Sequence, residues 1–246
     1  MKKILPARRL AFLLLVLSVA LYWTDYLVFG EGKGIAAGFL GNLAFLPLYV
    51  LFVTLMIEKV LKERERHAIR QKLNMVIGVF FSEVGSAMLR DCLVFVENSR
   101  QIAERLEISP QWTAADFRKA AGYLHEHPLG VNSRNGDLAA LKSFLVAKRG
   151  FMLGLLENPN LLEHDEFTDL LWAVFHLIEE LEARHSLAGL SSADLDHLSG
   201  DIRRAYGYLL REWVAYIQHL KQDYPYLFSL AVRTNPLVPG ARAELD

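Results

Sequence analysis

Two long apolar stretches near the amino terminus dominate the hydrophobic pattern of this chain. Residues 10–29 contain one charged side chain, Asp25, and residues 35–57 contain none. A helix of about twenty residues is about 30 Å long, which matches the hydrocarbon core of a bilayer. Only the short segment 30–34, Gly-Glu-Gly-Lys-Gly, separates the two stretches. We therefore predict a two-helix transmembrane hairpin within residues 1–57, with spans at about 10–29 and 35–57.

The basic residues predict the orientation of this hairpin. They precede the first span and follow the second, whereas the connecting loop contains only Lys33. The positive-inside rule then places both termini in the cytoplasm and the hairpin in an inner (plasma) membrane of the bacterial type. Cations beside the membrane also attract anionic lipid headgroups, so the bilayer is a predicted partner. The basic residues after the second span are Lys59, Lys62, Arg64, Arg66, Arg70 and Lys72.

A cleaved signal peptide is the competing interpretation of the first apolar stretch. Ser18-Val19-Ala20 has the small-x-small pattern of a cleavage site. The apolar run continues to Phe29, well past that site, which favours a membrane span. With either interpretation the second span leaves residues 58–246 in the cytoplasm.

Residues 58–246 have the periodicity of helices and no sustained alternation typical of strands. Apolar residues recur at spacings of three and four between Leu195 and Leu220, and a second such stripe runs from Phe167 to Ala188. The predicted fold class is all-α, a two-helix transmembrane hairpin followed by a cytoplasmic helical bundle. Its helices are predicted near 58–107, which continues the second span, and near 114–126, 138–157, 165–188 and 192–222, with a short helix after Pro225.

The junction between hairpin and bundle lacks helix breakers. No proline or glycine occurs between Pro47 and Gly78, so the second span is expected to continue as one rigid helix. Small residues recur every four positions at Gly78, Ser82 and Ser86, a spacing that lets another helix approach closely. That helix is either a neighbour in the same chain or part of a second copy.

The hairpin itself contains two groups of residues that suggest contacts within the membrane. Gly34, Gly38 and Gly41 form a small-residue face on the second span, suited to packing against the first span or to dimerisation. Asp25 and Asn42 lie at similar depths on the two spans, where they can hydrogen-bond each other or face a shared interior.

Composition and charge exclude several classes of protein. Lys and Arg number 27 against 28 Asp and Glu, for a net charge of −1, so nucleic acid is not an expected partner. The single cysteine, Cys92, excludes an intrachain disulfide framework and a multi-cysteine metal site. Phosphate-loop, dinucleotide and Gly-x-Ser-x-Gly motifs do not occur, so no cofactor is expected.

One metal hypothesis arises from the histidines. Glu182-x-x-His185 places a carboxylate and an imidazole one helical turn apart, as in carboxylate-bridged di-iron bundles. Such bundles need a second carboxylate–histidine pair. The nearest candidate, Asp194-x-x-His197, uses aspartate in place of glutamate. His176 with Glu180 has the spacing of an exposed ion pair on one helix. The favoured interpretation of His185 is a hydrogen-bonded histidine at the edge of the core.

These patterns predict a non-enzymatic inner-membrane protein. Its helical cytoplasmic domain would bind a protein partner or a second copy, or relay a signal through the continuous helix. One alternative is an oligomeric pore or small transport subunit with Asp25 and Asn42 facing the interior. A second is a membrane-bound metalloenzyme using Glu182 and His185. The aromatic segment 224–236 is expected to dock on its own bundle, with the membrane interface or a partner as alternatives.

Overall fold

Helices form nearly all the regular structure in a computed structural model that describes residues 7–30, 32–158, 161 and 165–244. The prediction of an all-α chain is confirmed, and over these residues the only extended pairing is one isolated bridge. The α-helices are α1 (Ala7–Phe29), α2 (Gly32–Phe80), α3 (Ser86–Asp91), α4 (Ser99–Arg105), α5 (Ala114–Glu126), α6 (Leu138–Leu156), α7 (Asp165–Ala183), α8 (Ser192–Asp223) and α9 (Pro225–Arg233).

The chain divides into two compact units, Met1–Arg66 and His67–Asp246. In the first unit, α1 ends at Gly30, which adopts a φ of +65° that favours glycine. Its N–H donates to the carbonyl oxygen of Tyr26 at 2.9 Å. The rings of Tyr22 and Phe39 then meet edge to face, with their centroids 6.0 Å apart.

One helical stretch of the described residues is long and apolar enough to cross a membrane. It lies within Lys33–Phe95, and its most apolar 18-residue window has a mean hydropathy of 2.1, with none of the window buried. In α1 the apolar stretch of described residues, Val16–Val28, is shorter than a membrane span requires. Length and composition therefore identify one candidate span rather than the predicted pair, and the two-pass hairpin stays a prediction.

The predicted single helix over 58–107 is wrong in its second half. A π-helical turn, Phe81–Gly85, follows α2, and a 3-10 turn, Cys92–Phe95, follows α3. The wider π turn places the Phe81 ring against the backbone at Gly85, where an added Cβ would lie 2.5 Å from Cδ1 of that ring. Glycine at position 85 is therefore needed for the close approach.

An extended segment then separates α3 from α4. Val96 pairs with Val131 in a single antiparallel bridge. On either side, the N–H of Glu97 donates to the carbonyl of Gly130 at 2.8 Å, and the N–H of Asn132 donates to the carbonyl of Phe95 at 2.9 Å. These long-range bonds replace the helical ones, and nothing in the local periodicity indicates them.

The core of the second unit lies around α7 and α8, and both predicted stripes are confirmed in it. In α8, Leu195 and Tyr216 are half-buried and the other members of the stripe are buried. In α7 the stripe is buried from Phe167 to Leu181, but the helix ends at Ala183 instead of continuing to 188. The predicted helices near 114–126, 138–157 and 192–222 agree with α5, α6 and α8 within one residue at each end.

The carboxy-terminal aromatic segment docks on its own unit, as the favoured interpretation predicts. Phe228 of α9 is buried, and so are Asn235 and Leu237 beyond it. The Asn235 side-chain amide donates to the carbonyl of Leu106 at 3.0 Å, which ties the chain to the end of α4.

Candidate functional site

The residues predicted to pack in the membrane lie on exposed parts of α1 and α2. A Cβ added at Gly38 or Gly41 would meet no atom within 4 Å, and Gly34 is exposed as well. Gly38 and Gly41 of the small-residue face therefore have no close neighbour in the described part of this chain. The amide of Asn42 donates to the hydroxyl of Tyr22 at 3.4 Å, whereas Asp25 is half-buried on α1.

The basic residues after the predicted second span lie along α2. The side chains of Lys59, Arg64, Arg66 and Lys72 are exposed, and Lys62 forms an i,i+4 ion pair with Glu58 at 2.7 Å. The backbone of Arg70 belongs to α2, and its side chain lies outside the described part. Exposed pairs of this kind contribute little to stability, so these cations are free to contact other surfaces.

A groove in the second unit contains the small residues predicted to form a helix-packing seam. We call it the α2–α8–α9 groove; it has a volume of about 720 Å³. Gly78 faces α8, because a Cβ at this position would lie 3.5 Å from the Tyr216 ring. Ser82 is exposed and Ser86 half-buried in the same groove. Packing within the chain thus uses Gly78, while Ser82 remains accessible.

The walls of the groove are apolar and aromatic. Met75 of α2 is 59% exposed, and Leu230 of α9 is 42% exposed. The rings of Phe81 and Tyr216 stack with centroids 5.0 Å apart, and Trp213 meets Phe81 edge to face at 5.3 Å. The buried indole nitrogen of Trp213 has no acceptor among the described residues. The groove therefore exposes apolar surface, whereas the indole N–H of Trp213 is buried.

Two residues considered for chemistry are not placed for it. Cys92 is fully buried, and this burial raises the pKa of its thiol to about 12, so the reactive thiolate is absent at neutral pH. His185 lies beyond the end of α7 and is exposed, so it is not one helical turn from Glu182. Glu182 instead pairs with Arg149 at 3.7 Å. The expectation of a core-edge His185 on α7 is wrong, because the helix stops before it.

The structure assembles a different cluster between α7 and α8. His176 and Glu180 lie one turn apart on α7, and His197 and Asp201 lie one turn apart on α8. One nitrogen or oxygen of each lies within 4.8 Å of those of the others. Two imidazoles and two carboxylates are thus brought to one place by two helices.

Arginines surround this cluster of His176, Glu180, His197 and Asp201. Nη1 of Arg184 donates to Oε2 of Glu180 at 2.8 Å, and Nη1 of Arg204 lies 3.4 Å from Oδ1 of Asp201. The hydrogen bond from Arg184, followed by the charge of His197, lowers the pKa of Glu180, so this carboxyl is ionised at neutral pH.

The sequence pattern predicts His176 and Glu180 to be an exposed ion pair, and it gives Asp201 no role. The available signal was the repetition of the same spacing, His-x-x-x-Glu and His-x-x-x-Asp, on two helices predicted to be neighbours. A di-iron pattern of carboxylate-x-x-His pairs does not include this spacing.

Comparison with known proteins gives the family of the chain. Residues 2–61 match the family model described as MJ1433, N-terminal helical domain, and residues 69–233 match that described as uncharacterized protein MJ1433, C-terminal helical domain. The chain is 42% identical over 227 residues to the uncharacterized protein MJ1433 of Methanocaldococcus jannaschii, covering 92% of this chain and 91% of the relative. No solved structure matches it. The chain therefore belongs to the MJ1433 family, with an N-terminal and a C-terminal helical domain.

Proposed function

We propose that this protein is a two-pass inner (plasma) membrane protein that presents its C-terminal helical domain in the cytoplasm for self-association and protein interaction. The observation that carries the proposal is the exposed apolar surface of α2. Every side chain from Ala36 to Ile57 is exposed, and the large apolar ones from Phe39 onward are 46% to 67% exposed. A continuous apolar surface of this kind needs a cover, and its length suits a bilayer.

The first helix supports a pair of spans rather than one. Over Val16–Val28 its described side chains are mostly apolar and exposed, with Asp25 as the only charged residue. Tyr22, Trp23 and Tyr26 lie near its end, where aromatic residues are typical of a membrane interface. With Gly30 as the turn, α1 and the first part of α2 would place both termini on the cytoplasmic side.

Cysteine labelling in intact cells tests this topology. The only native cysteine, Cys92, is buried, so it gives a low background. Lys33→Cys lies between the two predicted spans, and Ala188→Cys lies in the loop after α7. A membrane-impermeant maleimide is expected to label the first variant in intact cells and the second only after permeabilisation. Labelling of Ala188→Cys from outside, or release of the protein from membranes at alkaline pH, would contradict the proposal.

Self-association is proposed to use the α2–α8–α9 groove. Its support is the combination of accessible Ser82 with the exposed apolar side chains of Met75 and Leu230. A helix of a second copy would cover these apolar residues.

The groove is tested by filling it. Ser82→Trp places a bulky side chain in the groove, and Ser186→Trp introduces the same side chain at an exposed position after α7. The wild type and Ser186→Trp are expected to be oligomeric by light scattering in detergent, and Ser82→Trp monomeric. Equal masses for all three would remove the groove from the interface. Ion flux in liposomes that is lost in Asp25→Asn would favour the pore instead.

A further inference from the structure

We propose that His176, Glu180, His197 and Asp201 bind one divalent first-row transition-metal ion, with Zn²⁺ as the representative, between α7 and α8. The site lies in the C-terminal domain and does not depend on the membrane role proposed above. It joins two helices that each contribute a buried apolar stripe to the core.

The donor atoms lie close to the spacing of a metal coordination shell. Metal–ligand distances of about 2.0–2.1 Å give a tetrahedron with edges of about 3.3–3.4 Å. Nε2 of His197 lies 3.3 Å from Oε2 of Glu180 and 3.3 Å from Oδ2 of Asp201. Nε2 of His176 lies 3.5 Å from Oδ1 of Asp201 and 4.0 Å from Oε1 of Glu180. The distances from the two histidines use different oxygens of each carboxylate. One nitrogen or oxygen from each of the four side chains lies within 4.8 Å of the others, so side-chain rotations would be needed to bring four donors to one ion.

Asp201 provides a separate observation that indicates a ligand. Its side chain is only 3% exposed, and the buried Oδ2 has no hydrogen-bond partner among the described residues. The His197 imidazole approaches this oxygen without the geometry of a hydrogen bond. A buried carboxylate oxygen without a partner is costly, and a bound cation would satisfy it.

The arginines of the site orient the carboxylates without replacing the ion. Arg184 donates to Oε2 of Glu180, and a second nitrogen of its guanidinium lies 3.4 Å from Asp194. This fixes the Glu180 carboxylate and leaves Oε1 directed to His176. Outer groups that hold a ligand in place are typical of metal sites.

The donor set also narrows the identity of the ion. Two imidazoles and two carboxylates without a thiolate suit zinc, iron(II) or manganese, and they do not suit calcium, which prefers oxygen alone. His176 and His197 have side chains that are 43% and 53% exposed. The ion would therefore enter from solvent on the histidine side.

Metal binding by the full chain in detergent tests the proposal. The purified protein is stripped with a chelator, Zn²⁺ is added, and bound metal is counted by mass spectrometry after gel filtration. The affinity is measured against a chromogenic chelator. Two variants remove a ligand: His197→Ala at an exposed position and the isosteric Asp201→Asn. His125→Ala, an exposed histidine on α5, is the matched control.

The expected result is one Zn²⁺ per chain in the wild type and in His125→Ala. The two ligand variants are expected to bind at least about 100-fold more weakly, because loss of an outer partner alone costs 10–100-fold. Co²⁺ in the wild-type site is expected to show the intense visible absorption of four-coordinate cobalt. The proposal is overturned if the wild type binds no stoichiometric zinc, iron or manganese, or if both ligand variants bind like the control.

Discussion

Glu212 of α8 gives the sharpest prediction for the stability of the helical domain. Its side chain is 3% exposed, and Oε2 has no hydrogen-bond partner among the described residues. Burial, reinforced by the charge of Glu166, raises the pKa of Glu212 from 4.5 to about 7. Between these two values the folded chain keeps a proton that the unfolded chain has lost. The free energy of unfolding therefore falls as the pH rises from about 4.5 to 7 and levels off above 7.

The size of this effect follows from the two pKa values. One pKa unit corresponds to about 1.36 kcal/mol, so ionisation at this site removes about 3 kcal/mol in full. Between pH 5 and pH 8 the change is about 2.5 kcal/mol, because some of the unfolded carboxyl is still protonated at pH 5. Glu212→Gln has nearly the same shape and does not ionise. The free energy of unfolding of Glu212→Gln, relative to that of the wild type, is therefore expected to rise by that amount from pH 5 to pH 8.

The assay is denaturant unfolding of the full chain in detergent, followed by tryptophan fluorescence at several pH values. Glu179→Gln makes the same change at an exposed position on α7 and serves as the control. The difference between Glu212→Gln and the wild type is expected to grow with pH, and that of the control to stay constant. A pH-independent difference for Glu212→Gln would refute the reasoning, since Glu212 would then titrate alike in both states.

Three further predictions concern the packing and capping of the same domain, and denaturant unfolding tests each of them. Gly85→Ala is expected to destabilise by about 1–3 kcal/mol, because its Cβ would lie 2.5 Å from the buried Phe81 ring. Gly122→Ala, within α5 and with no atom within 4 Å of the new Cβ, is expected to stabilise by about 0.5–1 kcal/mol; equal effects would contradict the steric argument. Tyr206→Phe removes a buried hydrogen bond of 2.9 Å to a carbonyl of α3 and is expected to cost about 1–2 kcal/mol, while no loss would mean that this bond is dispensable. Asp137→Ala removes the cap that accepts from two N–H groups of α6 and is expected to cost about 1 kcal/mol, with Asp137→Asn close to the wild type.

Helix boundaries marked by capping residues could be predicted from the sequence. Thr113 and Asp116 form a capping box at the start of α5, and Ser191 accepts from the N–H of Asp194 at the start of α8. Caps of this kind are local, because donor and acceptor lie within one turn. The break at Val96 in the predicted 58–107 helix could not be predicted, since the bridge of Val96 to Val131 depends on a segment far along the chain.

The end of α7 shows a similar limit. The predicted apolar stripe extends to Ala188, but α7 ends at Ala183, and Gly189 adopts a φ of +70° in the loop that follows. A stripe extrapolated past its last core residue, Leu181, has no packing to support it. The Glu182 and His185 hypothesis depended on that extrapolation.

The missed cluster has a physical explanation in the faces of α7. The predicted stripe covers one face, yet Leu170, Ala173 and Leu177 are also buried and form a second row. The same spacing continues into Glu180 and Arg184, so the row changes from apolar to polar while still facing the interior of the domain. A prediction based on one narrow apolar stripe places these polar residues on the solvent-facing side of α7.

Two buried carboxylates on α8 show how the surroundings decide what such a residue does. Asp201, Ala205, Leu209 and Glu212 recur at spacings of four, four and three and are all buried, so this row of α8 begins and ends with an acid. Glu212 has another carboxylate as its charged neighbour and keeps its proton to about pH 7. Asp201 has two imidazole nitrogens and a guanidinium nitrogen at 3.3 to 3.5 Å. The first arrangement favours a neutral acid, and the second directs a carboxylate and two imidazoles toward one point, which is why we expect proton-linked stability at Glu212 and metal binding at Asp201.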